Sequence, residues 1–351
     1  METPLKEIAA KDIEKELAAI WAELEEKGAM RACLFNLIIY SSECERLPYL
    51  QEIAQKTIAK FPSRMIFVTL GGEKLSTKVS VARSGSIACD LIDFVLPLND
   101  HKLIPFMIMP HLICDLPTYV LWANDPTQDD PIANQLQKLA TRIIYDSESC
   151  DDLNRFAKGA LSTPNKPIAD LNWARIEGWR VALSNLYRTP DRLSVLRQTH
   201  KIHITYNSHT TPYFSHTRIQ ALYLQAWIAS CLNWKLKSLH TDDRCKTLIY
   251  DTCEITLEPV NFEQLAPGRI VTLELSAKDG DHLLLQRSPE AAHQIVIQHS
   301  TKELCSLPTY FMFAKYESGQ SLVNEICHQG TSEHFFKTLE LLARTQEGLP
   351  C

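Results

Sequence analysis

The chain has 351 residues, more than the roughly 100–200 residues of a typical single domain, so we expect two domains. Its composition, 45% hydrophobic and 22% charged, is that of an ordinary globular protein and excludes a disordered or fibrous chain. The 36 basic and 42 acidic residues give a net charge of -6. Without a basic excess we expect no nucleic-acid partner and no anionic membrane partner.

The first half alternates between helical and strand patterns. Asp12–Glu26 predicts an amphipathic helix, and the apolar runs Cys33–Tyr40 and Met65–Leu70 predict strands that are covered on both faces. A helix over Arg46–Lys60 lies between these runs, so the two strands should be parallel. Further strands are predicted at Thr77–Ser84, Ile87–Leu96, Leu116–Asn124 and Thr141–Ser147, and the first of these should be an edge or half-exposed strand. Further helices are predicted at Leu103–Met109 and from Asp130 onward. The prediction is an α/β layer domain with a mixed sheet over residues 1–165.

The second half begins after a proline-containing stretch, Ser162–Asp170, that we interpret as a linker or a crossing loop. Helices are predicted at Trp173–Tyr187, Phe214–Leu232, Gln320–Cys327 and Ser332–Arg344, and a strand at Lys201–Tyr206. Period-two segments predict an antiparallel meander of Leu248–Glu258, Arg269–Ser276, His282–Gln286 and Gln294–Gln298. Residues 166–351 are therefore predicted to form an α+β domain.

The cysteines and termini predict a cytoplasmic protein. The eleven cysteines are scattered and include no CxxC pair, which favours reduced thiols over a disulfide framework or a zinc ribbon. The polar, acidic start does not resemble a signal peptide. The apolar stretch Leu103–Leu116 is interrupted by two prolines and is too short to cross a membrane.

Motif searches yield no reactive centre. The chain lacks GxGxxG, GxxxxGK[ST], HExxH and GxSxG, and its 11 glycines are fewer than half the usual share of about 7%. Asp90 and Asp93 should point to opposite faces of their strand, which excludes an acid–base couple and leaves a solvated or capping carboxylate. Four histidines match no metal-ligand spacing and are expected at the surface: His200, His203, His209 and His216. We predict no cofactor and no metal.

Two segments stand out as candidate binding sites. In DLPTYVLWANDP, a predicted strand ends at Trp122, Asn124 and Asp125, where open α/β sheets bind ligands; turn formation and core filling are the alternative. In DLNWARIEGWR, four residues have the composition of an interface hot spot: Trp173, Arg175, Trp179 and Arg180. An inter-domain joint would explain the same residues.

These segments also carry a family resemblance. Together with ELAAIWAELEEKGAMRACLFNLIIY, IACDLIDF, ATRIIYDSE and YLQAWIASCLNW, they resemble, in the same order, the OpcA family of glucose-6-phosphate dehydrogenase assembly proteins. The matching blocks cover residues 17–234, about two thirds of the chain. The meander and the last helices match the family only loosely.

The resemblance implies a non-enzymatic activator that binds glucose-6-phosphate dehydrogenase and promotes its active oligomer or conformation. It gives no catalytic residues, and it leaves self-association open. Arg142 and Trp234, which lie in matching blocks, join the seven residues above as candidates for contact with the partner or support of the contact surface. The alternative is a sugar-phosphate-binding protein or a lactonase-like hydrolase of the same pathway, in which Arg142, Arg175 and Arg180 would hold a phosphate.

Overall fold

The structure is a computed structural model. It describes the following residues: 5–26, 28–42, 46–58, 60–85, 87–127, 130, 132–162, 166–242, 245–288, 290–291, 293–313, 320–328 and 330–344. The chain divides into two compact units. Of the described residues, the first unit takes those in 1–149, 162–171 and 317–331, and the second unit takes the remainder. The sequence-based domain boundary at residue 165 stays a prediction.

The first unit is built on a nine-stranded mixed sheet. Its strands are β1 (Lys6–Ile8), β2 (Met30–Arg31), β3 (Asn36–Ser41), β4 (Arg64–Leu70), β5 (Ser76–Ser84), β6 (Ile87–Leu96), β7 (Thr118–Trp122), β8 (Arg142–Tyr145) and β9 (Ile168–Asp170). They are ordered β1-β5-β6-β4-β3-β7-β8-β9, and β2 pairs with β6. The pairs β1–β5 and β5–β6 are antiparallel, whereas the pairs from β6 to β9 are parallel.

The six strands from β6 to β9 have the 3-2-1-4-5-6 order of a doubly wound fold. The chain runs outward from β3 in one direction through β4 and β6, and then returns to continue through β7, β8 and β9. The order therefore reverses between β3 and β7, at the centre of the sheet. The residues of β3 and β4 are buried throughout, as the continuous apolar runs predict for strands covered on both faces.

The described residues also form α-helices and several short 3-10 helices. The α-helices are α1 (Ile13–Glu26), α2 (Leu47–Ile58), α3 (Ile104–Ile108), α4 (Ala133–Leu139), α5 (Leu153–Ser162), α6 (Leu171–Arg175), α7 (Glu177–Leu186), α8 (Pro190–Arg197), α9 (Ile219–Cys231), α10 (Gln320–Cys327) and α11 (Glu333–Ala343). In α1 the stripe Ile13, Leu17, Trp21 and Leu24 is buried, and the helix packs on β5. None of these helices is long and apolar enough to cross a membrane.

The second unit contains an eight-stranded sheet. Its strands are β10 (Thr199–Asn207), β11 (Leu236–Thr241), β12 (Lys246–Tyr250), β13 (Glu254–Val260), β14 (Ile270–Ala277), β15 (His282–Arg287), β16 (Gln294–Ser300) and β17 (Thr309–Met312). The order is β11-β12-β13-β10-β14-β15-β16-β17, and only the β10–β13 pair is parallel. Helix α9 covers one face with eleven successive buried residues, and α11 packs on α9. The predicted fold class, α/β plus α+β, is confirmed. The predicted meander is interrupted, because β10 lies between β13 and β14, and it is continuous only from β14 to β17.

Three details of the first half differ from the sequence prediction. Thr77–Ser84 was expected at an edge or half exposed, but β5 lies between β1 and β6 and its central side chains are buried. Ser162–Asp170 was expected to be a linker or a crossing loop, yet it contains β9, whose three residues are buried against β8. The helix expected from Asp130 begins at Ala133, and the Asp130 carboxylate accepts a hydrogen bond from the Ile132 amide at 2.9 Å. Pro131 lies outside the described residues.

Two long elements of the second half are each divided in the structure. The predicted helix Trp173–Tyr187 is α6 and α7, separated at Ile176, whose backbone (φ -93°, ψ 4°) leaves the helical conformation. The predicted strand Leu248–Glu258 is β12 and β13, joined by a turn in which the Tyr250 amide donates to the Cys253 carbonyl at 2.8 Å. The alternation changes phase at this turn, because Asp251 and Thr252 are both exposed: the buried positions are Leu248 and Tyr250 before the turn and Cys253, Ile255 and Leu257 after it.

Candidate functional site

The first candidate site lies at the carboxyl ends of β3 and β7, where the strand order reverses. Ligands of doubly wound folds bind in this position. Here Asn124, just beyond β7, accepts hydrogen bonds from the Ser42 amide at 2.7 Å and from the Ser42 hydroxyl at 3.1 Å. The Ala123 amide donates to the Tyr40 carbonyl at 3.0 Å. These bonds join the two strand ends directly.

Tyr40 and Trp122 pack side by side within this site. They are register partners in the β3–β7 pair, and their rings lie 4.8 Å apart. The Tyr40 hydroxyl donates to Asp130 Oδ2 at 2.8 Å. Burial, reinforced by the Asp130 charge, raises the pKa of Tyr40, which keeps the phenol protonated as a donor. Trp122 is buried, and its indole N–H has no partner among the described residues.

An ion pair occupies the neighbouring strand end. Arg46 directly precedes α2, and its Nη2 lies 2.5 Å from Oδ2 of Asp146, which follows β8. The two side chains are only 5% and 0% exposed. In dinucleotide-binding folds, the amino end of the helix after the first strand receives the pyrophosphate. In this chain the residue at that point is an arginine already paired with a carboxylate.

The turn between β3 and α2 also does not fit a dinucleotide. Residues 41–46 read SSECER and include no glycine, whereas close approach of the pyrophosphate to the backbone requires glycine in this turn. The residues present therefore do not fit the nucleotide that this strand order usually accompanies.

The remaining residues of the first predicted segment form a turn. Asp125 is half-buried, and its Oδ1 accepts hydrogen bonds from the Thr127 amide at 2.8 Å and the Thr127 hydroxyl at 2.6 Å. Asn124 is buried, and its side-chain NH2 has no partner among the described residues. The segment thus combines turn chemistry with core packing, and Asp125 is its most accessible candidate.

The second candidate site is the tryptophan–arginine segment on α6 and α7. The Arg180 guanidinium carbon lies 3.7 Å from the centre of the Trp173 ring, a close cation–π contact. Trp173 packs against Phe335 of α11 at 5.2 Å and Tyr223 of α9 at 6.1 Å. Trp173 is 2% exposed, whereas Arg180 is half-buried. The Arg180 guanidinium therefore lies over the ring of a buried tryptophan, Trp173.

Trp179 forms the other half of this segment. Its ring meets Phe313 edge-on at 5.4 Å, and the Arg287 guanidinium lies 5.5 Å from it. Trp179 is 1% exposed. Gly178 allows this packing, because a Cβ there would lie 2.7 Å from the Phe313 ring. Trp173 and Trp179 are therefore buried residues that can support the side chains exposed on α7.

Arg142 and Arg175 are engaged within their own units. Arg142 on β8 pairs with Glu325 of α10 at 2.8 Å and donates to the carbonyls of Glu325 and His328. Burial lowers the pKa of Arg142, and the Glu325 charge opposes this shift. Arg175 donates to Asn172 Oδ1 at 2.7 Å and lies over the Phe214 ring. These contacts are structural and would have to be replaced if either guanidinium were to hold a phosphate.

Trp234 is placed by the end of α9. Asn233 adopts the left-handed conformation (φ 57°), which asparagine tolerates, and the Trp234 amide then donates to the Ala229 carbonyl at 2.9 Å. The indole packs 6.1 Å from Tyr250 and is buried, with its edge lining a surface groove.

Sequence reasoning missed a buried charge network around Asp90. Arg64 donates to Asp90 Oδ2 through Nε (2.9 Å) and Nη2 (2.7 Å), while Arg31 and the Trp21 indole also donate to this carboxylate. Burial raises the pKa of Asp90, but the Arg64 charge and the other donors outweigh burial and lower the pKa overall. Asp90 is thus not the solvated or capping carboxylate that was expected. Asp93 is also buried, and burial raises its pKa.

Of the four histidines expected at the surface, His200 and His209 are exposed, whereas His203 and His216 are half-buried. Histidines of the second sheet pair with glutamates of neighbouring strands. His203 lies 2.8 Å from Glu258, and His282 lies 2.6 Å from Glu274. The His282 hydrogen bond is the main cause of the lowered pKa of Glu274. No group of three or more potential ligand side chains among the described residues could hold a metal ion.

Three curated proteins are similar to the chain. Each is named "Putative OxPP cycle protein OpcA", and they come from Nostoc punctiforme, Synechococcus elongatus and Synechocystis sp.. The chain is 27% identical to the first over 197 residues, 25% to the second over 220 residues and 28% to the third over 150 residues. These matches cover 52%, 58% and 42% of the chain and 40%, 46% and 30% of the relatives. The chain therefore aligns with less than half the length of each.

Solved structures share the fold at low sequence identity. A 3-ketoreductase from Actinomadura kijaniata, crystallised with NADP, matches with a TM-score of 0.53 at 8% identity, over 88% of this chain and 95% of that one. Levoglucosan dehydrogenase with NADH matches with a TM-score of 0.50 at 12% identity, over 89% and 94% of the two chains. These similarities show the fold alone.

Two family models match consecutive parts of the chain and together cover more than three quarters of it. The model for the glucose-6-phosphate dehydrogenase subunit N-terminal domain matches residues 54–159, and the model for the C-terminal domain matches residues 166–335. The second match includes the meander, which the sequence resemblance covered only loosely. The chain belongs to the OpcA family of glucose-6-phosphate dehydrogenase assembly proteins.

Proposed function

We propose that this chain binds glucose-6-phosphate dehydrogenase and increases its activity by favouring the active oligomer or conformation, with no reaction of its own. The observation that carries the proposal is the match of both OpcA family models, each described as a domain of a glucose-6-phosphate dehydrogenase subunit. The proposal places the protein in the cytoplasm, in the oxidative pentose phosphate pathway.

The candidate site in the first unit supports this function. The paired Arg46 and Asp146, together with the glycine-free turn, do not fit a dinucleotide in a strand order that commonly binds one. A sheet whose strand ends are joined by internal hydrogen bonds is suited to a binding protein. Its rigid strand ends can present neighbouring loops to a partner.

We assign different roles to the nine candidate residues according to their burial. Asp125 and Arg180 are half-buried, so they are the candidates for direct contact. The other seven are buried and would support the contact surface: Trp122, Asn124, Arg142, Trp173, Arg175, Trp179 and Trp234. In the second unit, the cation–π contact with Trp173 would orient Arg180 towards an acidic group of the dehydrogenase.

The energetic requirement of such an activator is modest. An activator shifts a conformational equilibrium only by the difference between its affinities for the two states. A tenfold shift needs about 1.4 kcal/mol, which one well-placed arginine contact can supply.

The test is steady-state kinetics of the dehydrogenase from the same organism, titrated with the purified chain. We expect saturable change in kcat or KM with the wild-type chain, and an activation constant weakened at least tenfold by Arg180→Ala. Arg188→Ala is the matched control, because Arg188 is exposed near the end of α7 and should be silent. An unchanged kcat and KM at saturating wild-type chain would refute the proposal.

A further inference from the structure

A surface groove lies in the second unit between the edge strand β11 and the helix α11. Its volume is about 640 Å³, which is within the usual size range of small-molecule sites. One wall is formed by residues 233–239, and the other by residues of α11 and Arg344 just beyond it. The groove is therefore built from one strand and one helix of the same unit.

Cationic side chains line both walls of the groove. Lys235 directly precedes β11, and Lys237 lies at a register shift of the β11–β12 pair; both side chains are exposed and line the groove. Lys337 and Arg344 are seven residues apart on the α11 side, which places them two turns apart on one helix face. Glu340 is the one carboxylate among the lining residues. A chain with a net charge of -6 thus concentrates positive charge in this groove.

Protection of a sheet edge explains only part of this pattern. Lysines on an edge strand commonly prevent edge-to-edge pairing, and β11 is the edge strand beside β12. That explanation does not account for the cations of the α11 wall. Those cations make exposed i,i+4 pairs, Lys337 with Glu333 at 2.6 Å and Arg344 with Glu340 at 3.9 Å, which are weak and exchangeable.

The floor of the groove offers apolar contact between the two charged walls. Trp234 contributes its indole edge, held by the left-handed Asn233, and Leu236, Leu239 and Leu341 line the groove beside it. Ser230 and Ser238 add hydroxyl groups. An aromatic edge with nearby hydroxyls and flanking cations is suited to a compact polar molecule that carries a multiply charged anionic group.

We propose that this groove is a binding site for a small organic phosphate, a phosphorylated sugar or nucleotide, held by Lys235 and Lys237 on one side and by Lys337 and Arg344 on the other. The site differs from the Arg142, Arg175 and Arg180 set considered above. Binding is a property of the chain alone. Any effect of the ligand on the dehydrogenase would rest on the proposed function.

Isothermal titration calorimetry of the full chain in about 50 mM salt, where charge screening is limited, tests the site. The probes are glucose 6-phosphate and pyrophosphate, with glucose as the uncharged control. We expect saturable binding of at least one phosphate probe and none of glucose. The double variants Lys235→Gln/Lys237→Gln and Lys337→Gln/Arg344→Gln should each weaken Kd at least tenfold.

The control is the pair Lys278→Gln/Lys302→Gln, which removes two exposed charges elsewhere in the same unit. Its Kd should stay within twofold of the wild type. The proposal is overturned if neither phosphate probe shows saturable binding, or if the control pair weakens binding as much as the groove pairs. All three variants replace exposed side chains, and matching melting curves would establish that their fold is retained.

Discussion

At the scale of single residues, Asp90 is the centre of a buried charge network in the first unit. The carboxylate is 3% exposed and accepts hydrogen bonds from Arg64, Arg31 and Trp21. Removing one partner of a buried ion pair leaves the other charge uncompensated, at a cost of about 3–5 kcal/mol. We expect Asp90→Asn to lower the urea midpoint accordingly. Asp115→Asn, at an exposed position, is the control; equal midpoints for the two variants would contradict this role.

The same network predicts how stability depends on pH. The folded state lowers the pKa of Asp90, so its contribution to stability is fully present above the unfolded pKa of about 3.9 and is lost as the pH falls through the lower folded value. The difference between wild type and Asp90→Asn should therefore be constant near neutral pH and shrink below about pH 4. Urea melts at several pH values measure it, and a gap that widens on acidification would show that the sign is wrong.

At the scale of elements, the packing of α7 depends on Gly178. Glycine inside a helix costs about 1 kcal/mol relative to alanine, so its presence needs a reason. The reason is Phe313, whose ring would lie 2.7 Å from an added Cβ. Overpacking costs about 1–3 kcal/mol, which outweighs the gain in helix propensity. We expect Gly178→Ala to destabilise the protein by about 1–2 kcal/mol in urea melts.

Two further variants separate the packing effect from helix propensity. Ser184→Ala changes an exposed position of the same helix and should stabilise it slightly. Phe313→Leu removes the opposing ring, and Gly178→Ala should be less harmful in that background. If Gly178→Ala raised the stability of the wild-type chain, the close approach to Phe313 would not be what requires glycine.

The elements that the sequence predicted well are those with a strong local signal. Asn36–Ser41 and Arg64–Leu70 are mostly apolar and buried throughout because both faces of each strand are covered, and the helix between them fixes their parallel direction. Ile13–Glu26 was predictable because a single apolar stripe packs on the sheet. In each case the signal lies in the residues of the element itself or of its neighbours along the chain.

The elements that were missed depend on distant partners. Ile168–Asp170 follows Pro167 and has no periodicity, yet it is a strand because β8 supplies its hydrogen bonds, including one from the Ile143 amide to the Pro167 carbonyl at 3.0 Å. Asp90 appeared as an isolated carboxylate because its partners Arg31 and Arg64 are 59 and 26 residues away. The two candidate binding segments were visible from composition, but composition could not decide between a binding surface and the alternatives of core filling and an inter-domain joint.

At the scale of the whole molecule, the proposed function differs from the function that this fold usually accompanies. The first unit has the strand order of dinucleotide-binding domains, and the whole chain resembles oxidoreductases in fold at 8–12% identity. A dinucleotide would bind at the carboxyl ends of these strands. In this chain a hydrogen bond between Ser42 and Asn124 connects two of the strand ends, and an ion pair between Arg46 and Asp146 lies beside them. A fold can keep its framework while its function depends on a different surface.

Sedimentation velocity of a mixture with the dehydrogenase tests the central claim, a direct complex, most directly. The dehydrogenase from the same organism is run alone, with the wild-type chain and with Arg180→Ala. We predict that the wild-type chain co-sediments with the dehydrogenase and shifts it towards one larger species, and that Arg180→Ala leaves much of the enzyme unshifted. Separate boundaries for the two wild-type proteins at micromolar concentrations, each unchanged from its run alone, would contradict the account.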